Sequence, residues 1–238
     1  MIDFYYWPTP NGWKVAILLE ELGADYRLIP VNISKGDQFT AEFRAISPNN
    51  RMPAIVDHHP APDLGEEPVS VFESGAIMWY LADKAGRFVP ADPRLRKEVM
   101  EWMFWQVGGQ GPMAGQLSHF VNYAPEEERS YGKKRYTGEY DRLLGVLDER
   151  LRGREWMVGG EYSIADMICW PWVLIAKPLG ASLEPFPHLS AWRARVKARP
   201  AVQRAVDLGK EFRRQAPPDE AERKLLFEQS SAHLRRAE

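Results

Sequence analysis

Apolar and polar positions keep two rhythms along this chain, and the change falls near residue 90. Before it, short apolar runs alternate with turn residues and with helical patterns. IDFYYW reads as a strand, and KVAILLEELG as an amphipathic helix ending at Gly23. YRLIPVNI is a second strand, and TAEFRAIS a short helix stopped by Pro48. PAIVDH and PVSVF flank a stretch rich in Pro, Gly and Glu, the pattern of an antiparallel hairpin. ESGAIMWYLADKAG closes this part as a helix with Gly86 as its C-cap. The order βαβ-α-ββα predicts a small four-stranded sheet with helices on its faces.

RFVPADPR is a proline-bearing linker, after which apolar residues recur at three- and four-residue spacing. Helical segments are expected over 94–121, 127–152, 163–178, 187–198 and 200–214. Ser163 and Asp166, in SIAD, fit a capping box that opens the most apolar helix, IADMICWPWVLIA. That helix is expected to run through the centre of the second unit. The chain therefore reads as an α+β protein of two domains, 1–88 and 93–215. A charged tail over 216–238 is expected to be disordered in part or to pack loosely. No internal repeat is seen.

Composition narrows the partners. The chain has 238 residues, 45% hydrophobic and 27% charged, the proportions of an ordinary globular protein. Its 31 basic and 33 acidic residues leave a net charge of −2, which gives no reason to expect nucleic acid or an anionic membrane as a partner. The start MIDFYYWPTP has neither a basic nor a long apolar signal region, and no apolar run approaches the roughly 20 residues that span a bilayer. A cytoplasmic location is expected. Cys169 is the single cysteine, so an internal disulfide, a CxxC pair and a cysteine-based zinc site are all excluded. Its apolar context, ADMICWPW, reads as that of an inert core thiol. His119 and the His58–His59 pair lack partners at metal-ligand spacing and are read as packing or surface residues, with no metal expected.

Two stretches carry candidate chemistry. In NNRMPAIVD a cis Met52–Pro53 bond would leave the N–H and C=O of Met52 free to pair with an extended peptide ligand. A trans proline opening an edge strand fits the same residues. In FESGAIMWYL, Glu73 and Ser74 precede a helix whose free N–H groups and dipole favour a carboxylate. A head group bearing both carboxylate and ammonium would satisfy the pair, and so would a plain serine cap beside an exposed glutamate.

Together these features resemble the cytosolic glutathione transferases, over roughly residues 1–210. PTPNGWK, PNNRMPAIVD and FWQVGGQGPMAGQ narrow the resemblance to the bacterial Nu class of glutathione-dependent disulfide-bond oxidoreductases. The resemblance implies a thioredoxin-like N-terminal domain, an all-α C-terminal domain and a homodimer. It implies that Met52, beside Pro53, pairs with the cysteinyl part of glutathione, and that Glu73 and Ser74 hold its γ-glutamyl head. Gln38, Arg51 and Arg135 are implied as further contacts, Arg135 to a second glutathione. Phe104, Trp105 and Gln106 are implied to line that second position.

Where redox proteins with this opening place a cysteine, Thr9 and Asn11 stand instead. The reactive thiol would then come from the ligand. A thiol that titrates near 8.5 needs roughly 2.7 kcal/mol of anion stabilisation to drop two units, within reach of a helix N-terminus and two or three directed hydrogen bonds. Neither residue is a base at neutral pH, so each would stabilise and orient the sulfur. As local residues alone, both also read as turn and cap positions. Tyr6 is an outside candidate for the same donor role. The implied activity is glutathione-dependent reduction of small disulfides. Conjugation of glutathione to carbon electrophiles and non-enzymatic glutathione binding are the alternatives.

Overall fold

Strand pairing follows the alternation of the first 90 residues. The computed structural model describes residues 1–213 and 218–231. Strands β1 (Ile2–Tyr6), β2 (Tyr26–Pro30), β3 (Ala54–Asp57) and β4 (Val69–Phe72) form one sheet in the order β2-β1-β3-β4. β1 runs parallel to β2, with Ile2 opposite Tyr26, and antiparallel to β3, with Tyr5 opposite Ala54. Helix α1 (Pro10–Leu22) makes the crossover between the parallel strands, as parallel pairing requires. α2 (Ala41–Ile46) starts at the Thr40 cap, and α3 (Ser74–Ala85) ends at Gly86. The sheet order and the three helices are those of a thioredoxin-like unit.

α1 begins and ends as its residues dictate. Pro10 occupies the first turn, where its missing N–H is no loss, and Gly23 closes the helix at φ +64°. Gly12 lets this helix press against β1, because a Cβ there would lie 2.3 Å from the Trp7 carbonyl oxygen. Val15 to Leu19 are buried without exception, so this helix is apolar nearly all round. It is covered by the sheet on one side and by the helical part on the other.

The remainder is helical: α4 (Pro93–Trp105), α5 (Gly111–Asn122), α6 (Glu126–Leu151), α7 (Ile164–Leu174), α8 (Pro187–Lys197), α9 (Pro200–Asp207) and α10 (Glu220–Phe227). The QVGGQ stretch between α4 and α5 does not break the helix. Residues Gln106–Gln110 form a π turn that carries it onward, the kind of irregularity that often marks functional sites. α7 is fully buried from Ile164 to Val173 and packs on α1, α4 and α8. Its capping box forms as expected: Asp166 accepts from the Ser163 N–H, and Ser163 caps Ala165. Arg199–Glu21 and Arg204–Glu20 ion pairs tie α9 to α1.

The tail departs from its expected looseness within 218–231. Asp219 and Glu222 form a capping box, and Phe227 packs edge-on to His119 and at a tilt to Tyr123. The half-buried Leu225 and Leu226, with the ring contacts of Phe227, explain this. Residues 214–217 and 232–238, which end the expected 200–214 helix and make up the rest of the tail, lie outside the described residues. Among the described residues no helix is long and apolar enough to cross a membrane, and no group of three or more His, Cys, Asp or Glu is placed to hold a metal.

Candidate functional site

Three chain segments meet at the N-terminal end of α1. The first is the α1 entry itself. Thr9 is the N-cap, its Oγ1 accepting from the Gly12 N–H at 3.3 Å. The same hydroxyl donates to the sulfur of Met52 at 3.7 Å, bringing in the second segment. The Met52–Pro53 bond is cis, and Met52 lies before the first ladder pair of β3, which begins at Ala54. The third segment is the start of α3, linked through Lys14, whose ammonium lies 3.4 Å from the Ser74 hydroxyl.

Asn11 is partly exposed in the first turn of α1, and its amide is oriented from the far side. The indole N–H of Trp172, on α7, donates to Asn11 Oδ1 at 3.3 Å. An oxygen held by a donor turns the amide NH2 the other way, and that NH2 has no partner among the described residues. The turn therefore presents donors and no base. No protein thiol reaches it. Cys169 is fully buried in α7, and burial pushes its thiol well above the ordinary range, which makes it unreactive.

Glu73 stands at φ +69°, a left-handed conformation that a non-glycine residue adopts at a strain of about 1–3 kcal/mol. Such strain gathers at ligand sites. Its exposed carboxylate accepts from Asn49 at 3.2 Å, leaving the other oxygen open. Ser74 is buried behind it at the first position of α3, where the helix dipole is positive.

The other expected residues are spread around these segments. Gln38 is buried inside the 33–39 turn, with its amide nitrogen donating to Ile33 and its Oε1 unpartnered. Arg51 is exposed beside Met52. Arg135 is exposed on α6, 4.0 Å from Glu139, with no contact among the described residues to Thr9, Asn11 or Ser74. Phe104, Trp105 and Gln106 do not share a wall. Each helical residue turns about 100° from the last, so three in a row face three directions. Phe104 is 69% exposed and lines a groove of about 780 Å³ with Leu64, Trp79 and Met100. Trp105 faces a separate recess with Trp102 and Arg150. Gln106 is fully buried and accepts from Lys14 at 2.7 Å. Tyr6 is also no donor to the site: it is fully buried and its hydroxyl donates to the Leu208 carbonyl. His58 bonds Asp3, and His119 packs against the Phe120 and Phe227 rings.

Sequence reading missed Lys14 and Trp172. The signals for the first were its place at the end of PTPNGWK and a lysine flanked by the apolar Trp13 and Val15. For the second there was none, because the bond spans 161 positions.

A thioredoxin-like sheet with this cis-proline edge, followed by a bundle packed on α1, is the architecture of the glutathione transferases. The chain belongs to the glutathione S-transferase family of enzymes: the N-terminal domain of that family matches residues 1–83 and the C-terminal domain residues 113–200. It is 50% identical over 206 residues to the disulfide-bond oxidoreductase YfcG of Escherichia coli, covering 87% of this chain and 94% of that protein. It is 40% identical to the disulfide-bond oxidoreductase YghU of the same organism, over 85% of this chain and 73% of the relative. A glutathione transferase from Burkholderia graminis, solved with two glutathione molecules bound per subunit, superposes with a TM-score of 0.83 at 44% identity over 88% of each chain. One from Pseudomonas putida, solved with one glutathione disulfide per subunit, gives 0.81 at 41% identity over 87% of this chain and 91% of that one.

Proposed function

We propose that this enzyme reduces small disulfides by thiol–disulfide exchange, using bound glutathione as the thiolate and no cysteine of its own. One observation carries the reading: a helix N-terminus bearing the Thr9 hydroxyl and the Asn11 amide faces a peptide-docking edge at Met52 and an anion-binding helix start at Ser74, with the only thiol sealed in the core. Relatives named as disulfide-bond oxidoreductases, and similar structures holding glutathione or its disulfide, support it.

In this reading the Met52 main chain, beside cis Pro53, aligns the cysteinyl unit as a strand partner would. Glu73 takes the ammonium of the γ-glutamyl head, and Ser74 with the α3 amides takes its carboxylate. Gln38 and Arg51 border the glutathione, and Arg135 serves a second one. Thr9 rotates its hydroxyl from the weak bond to the Met52 sulfur onto the ligand sulfur. The thiolate then attacks one sulfur of the substrate, forming a mixed disulfide and expelling the other sulfur as a thiolate that takes up a proton. A second glutathione thiolate attacks the glutathione sulfur of the mixed disulfide, releasing the second substrate thiol and glutathione disulfide. Two glutathiones are oxidised and one disulfide is reduced. Because exchange requires in-line approach of the sulfurs, the site acts chiefly by positioning two thiols.

Residues 1–88 form the glutathione-binding domain and 93–215 the helical domain, and the protein is a cytoplasmic Nu-class homodimer. The dimer reading is supported by the groove beside Phe104, where Leu64 and Met100, 50% and 41% exposed, leave apolar surface for a second copy to cover.

Turnover of hydroxyethyl disulfide and of chlorodinitrobenzene, each with glutathione, tests the reaction type. Faster disulfide reduction is the expected result, and faster conjugation would reject the reading. Cys169→Ala is expected to retain full disulfide-reductase activity, since no step uses that thiol. Loss of most of the rate in a folded variant would show that a protein cysteine takes part.

A further inference from the structure

Lys14 is a charged side chain at the centre of the protein. It is 2% exposed, on the helix face that meets both α3 and the π turn. Its ammonium donates to Gln106 Oε1 at 2.7 Å and approaches Ser74 Oγ at 3.4 Å. No carboxylate lies within 4 Å of it among the described residues. Buried ammonium groups are normally matched by a carboxylate, because the loss of hydration is otherwise uncompensated. The charged groups that act on it are few. Glu73, at the N-cap of α3, is exposed and turned toward Asn49. The Cys169 thiol, on α7, faces it but is held neutral by burial.

We propose that Lys14 is the positioning residue for the carboxylate of the ligand's γ-glutamyl head, acting through Ser74, and that this carboxylate is its missing counter-ion. The inference rests on the glutathione reading above and deepens it. Ser74 offers one hydroxyl to two neighbours. With the lysine behind it donating to the oxygen lone pair, the hydroxyl hydrogen is left to point toward the mouth of α3. The ammonium thus fixes the hydroxyl as a donor and adds a positive charge to the α3 dipole, one residue deeper than any ligand contact. Gln106, fully buried, anchors the same ammonium through its Oε1. Burial lowers the Lys14 pKa to about 7, and the arrival of an anion raises it again, so binding draws a proton in.

A ligand series separates this role from a structural one. Affinity is measured by calorimetry for glutathione and for γ-aminobutyryl-cysteinyl-glycine, which lacks only that carboxylate, against the wild type, Lys14→Met and Lys14→Gln. The wild type is expected to prefer glutathione by roughly tenfold or more, the worth of a charge-assisted hydrogen bond. Both variants are expected to lose most of that preference while binding the analogue as the wild type does. A variant that keeps the preference, or that loses affinity equally for both ligands, overturns the proposal. So does a wild type that binds both ligands equally, which leaves the glutathione reading intact. A wild type that binds neither ligand removes the glutathione reading itself. Should neither variant fold, the wild type decides. S-methylglutathione, whose blocked thiol releases no proton, is titrated at about pH 7 and pH 8 in buffers of different ionisation enthalpy. Net proton uptake is expected as the anion restores the charge of Lys14, and no uptake at either pH 7 or pH 8 overturns the proposal.

Discussion

Asp166→Ala is expected to lower the unfolding free energy by about 3–5 kcal/mol, a large part of the 5–15 kcal/mol that holds a typical domain together. The carboxylate is fully buried and gathers four donors: the Met157 N–H at 3.0 Å, the Trp192 indole at 2.8 Å, and the Ser163 N–H and hydroxyl at 3.0 and 3.3 Å. Removing it orphans buried donors on three segments at once and undoes the capping box of the central helix. The midpoint of thermal unfolding should fall on the order of 10 °C. Asp166→Asn keeps the acceptor for Met157 and Trp192 but sets an NH2 against the Ser163 N–H, so a smaller loss is expected. Asp207→Ala, at a 69% exposed side chain, should change stability by less than about 0.5 kcal/mol. Burial dominates these hydrogen bonds and raises the Asp166 pKa from 3.8 to about 6. The folded carboxyl therefore holds its proton more tightly than the unfolded one. Its contribution is full below about pH 4, declines between about 4 and 6, and is flat above. Urea titrations across that range should show this slope in the wild type and lose it in Asp166→Asn. A wild-type stability that rises steadily from pH 4 to 6 on account of this residue would contradict the assignment.

Asn11→Ala is expected to reduce kcat/KM for hydroxyethyl disulfide by about 10- to 100-fold, the worth of one hydrogen bond to a charged group. Its amide NH2 is the donor that the Trp172 indole turns outward. Losing it should move the pH midpoint of the reaction upward by about one unit, as the bound thiol returns toward its ordinary value near 8.5. Asn11→Asp provides the sharper comparison. It is nearly isosteric but sets a carboxylate against the developing thiolate, so the loss should exceed that of alanine. Trp172→Phe removes the orienting bond without touching the ligand and should lie between alanine and wild type. The pH–rate profile distinguishes these effects from misfolding, since a merely damaged fold lowers the plateau without moving the midpoint. A normal midpoint in Asn11→Ala would remove Asn11 from the chemistry and leave it a helix-start residue.

Much of the site was legible because its parts are local. The Thr9 cap, the first-turn Pro10, the closing Gly23 and the SIAD capping box depend on residues within a few positions of one another. The same holds for Met52–Pro53 and for the serine at the mouth of α3. Alternation and helical periodicity placed the four strands and most of the helices, since burial on one face leaves its mark at spacings of two or of three and four. A count of cysteines excluded a CxxC pair and an internal disulfide, while the burial of Cys169 in the structure takes the remaining thiol out of reach.

Packing between distant segments decided the rest. Helical phase sends Phe104, Trp105 and Gln106 in three directions, and only the position of α4 against its neighbours determines what each one meets. The indole that orients Asn11 lies 161 positions along the chain, and the amide that anchors Lys14 lies 92. A lysine reads as a surface charge in any local window, because the cost of burying it is settled by groups that the window does not contain. Composition and periodicity thus determined the elements and their caps, and left a single cysteine in an apolar stretch. The tertiary structure alone decided which polar groups face one another away from water, where their charges act with most force.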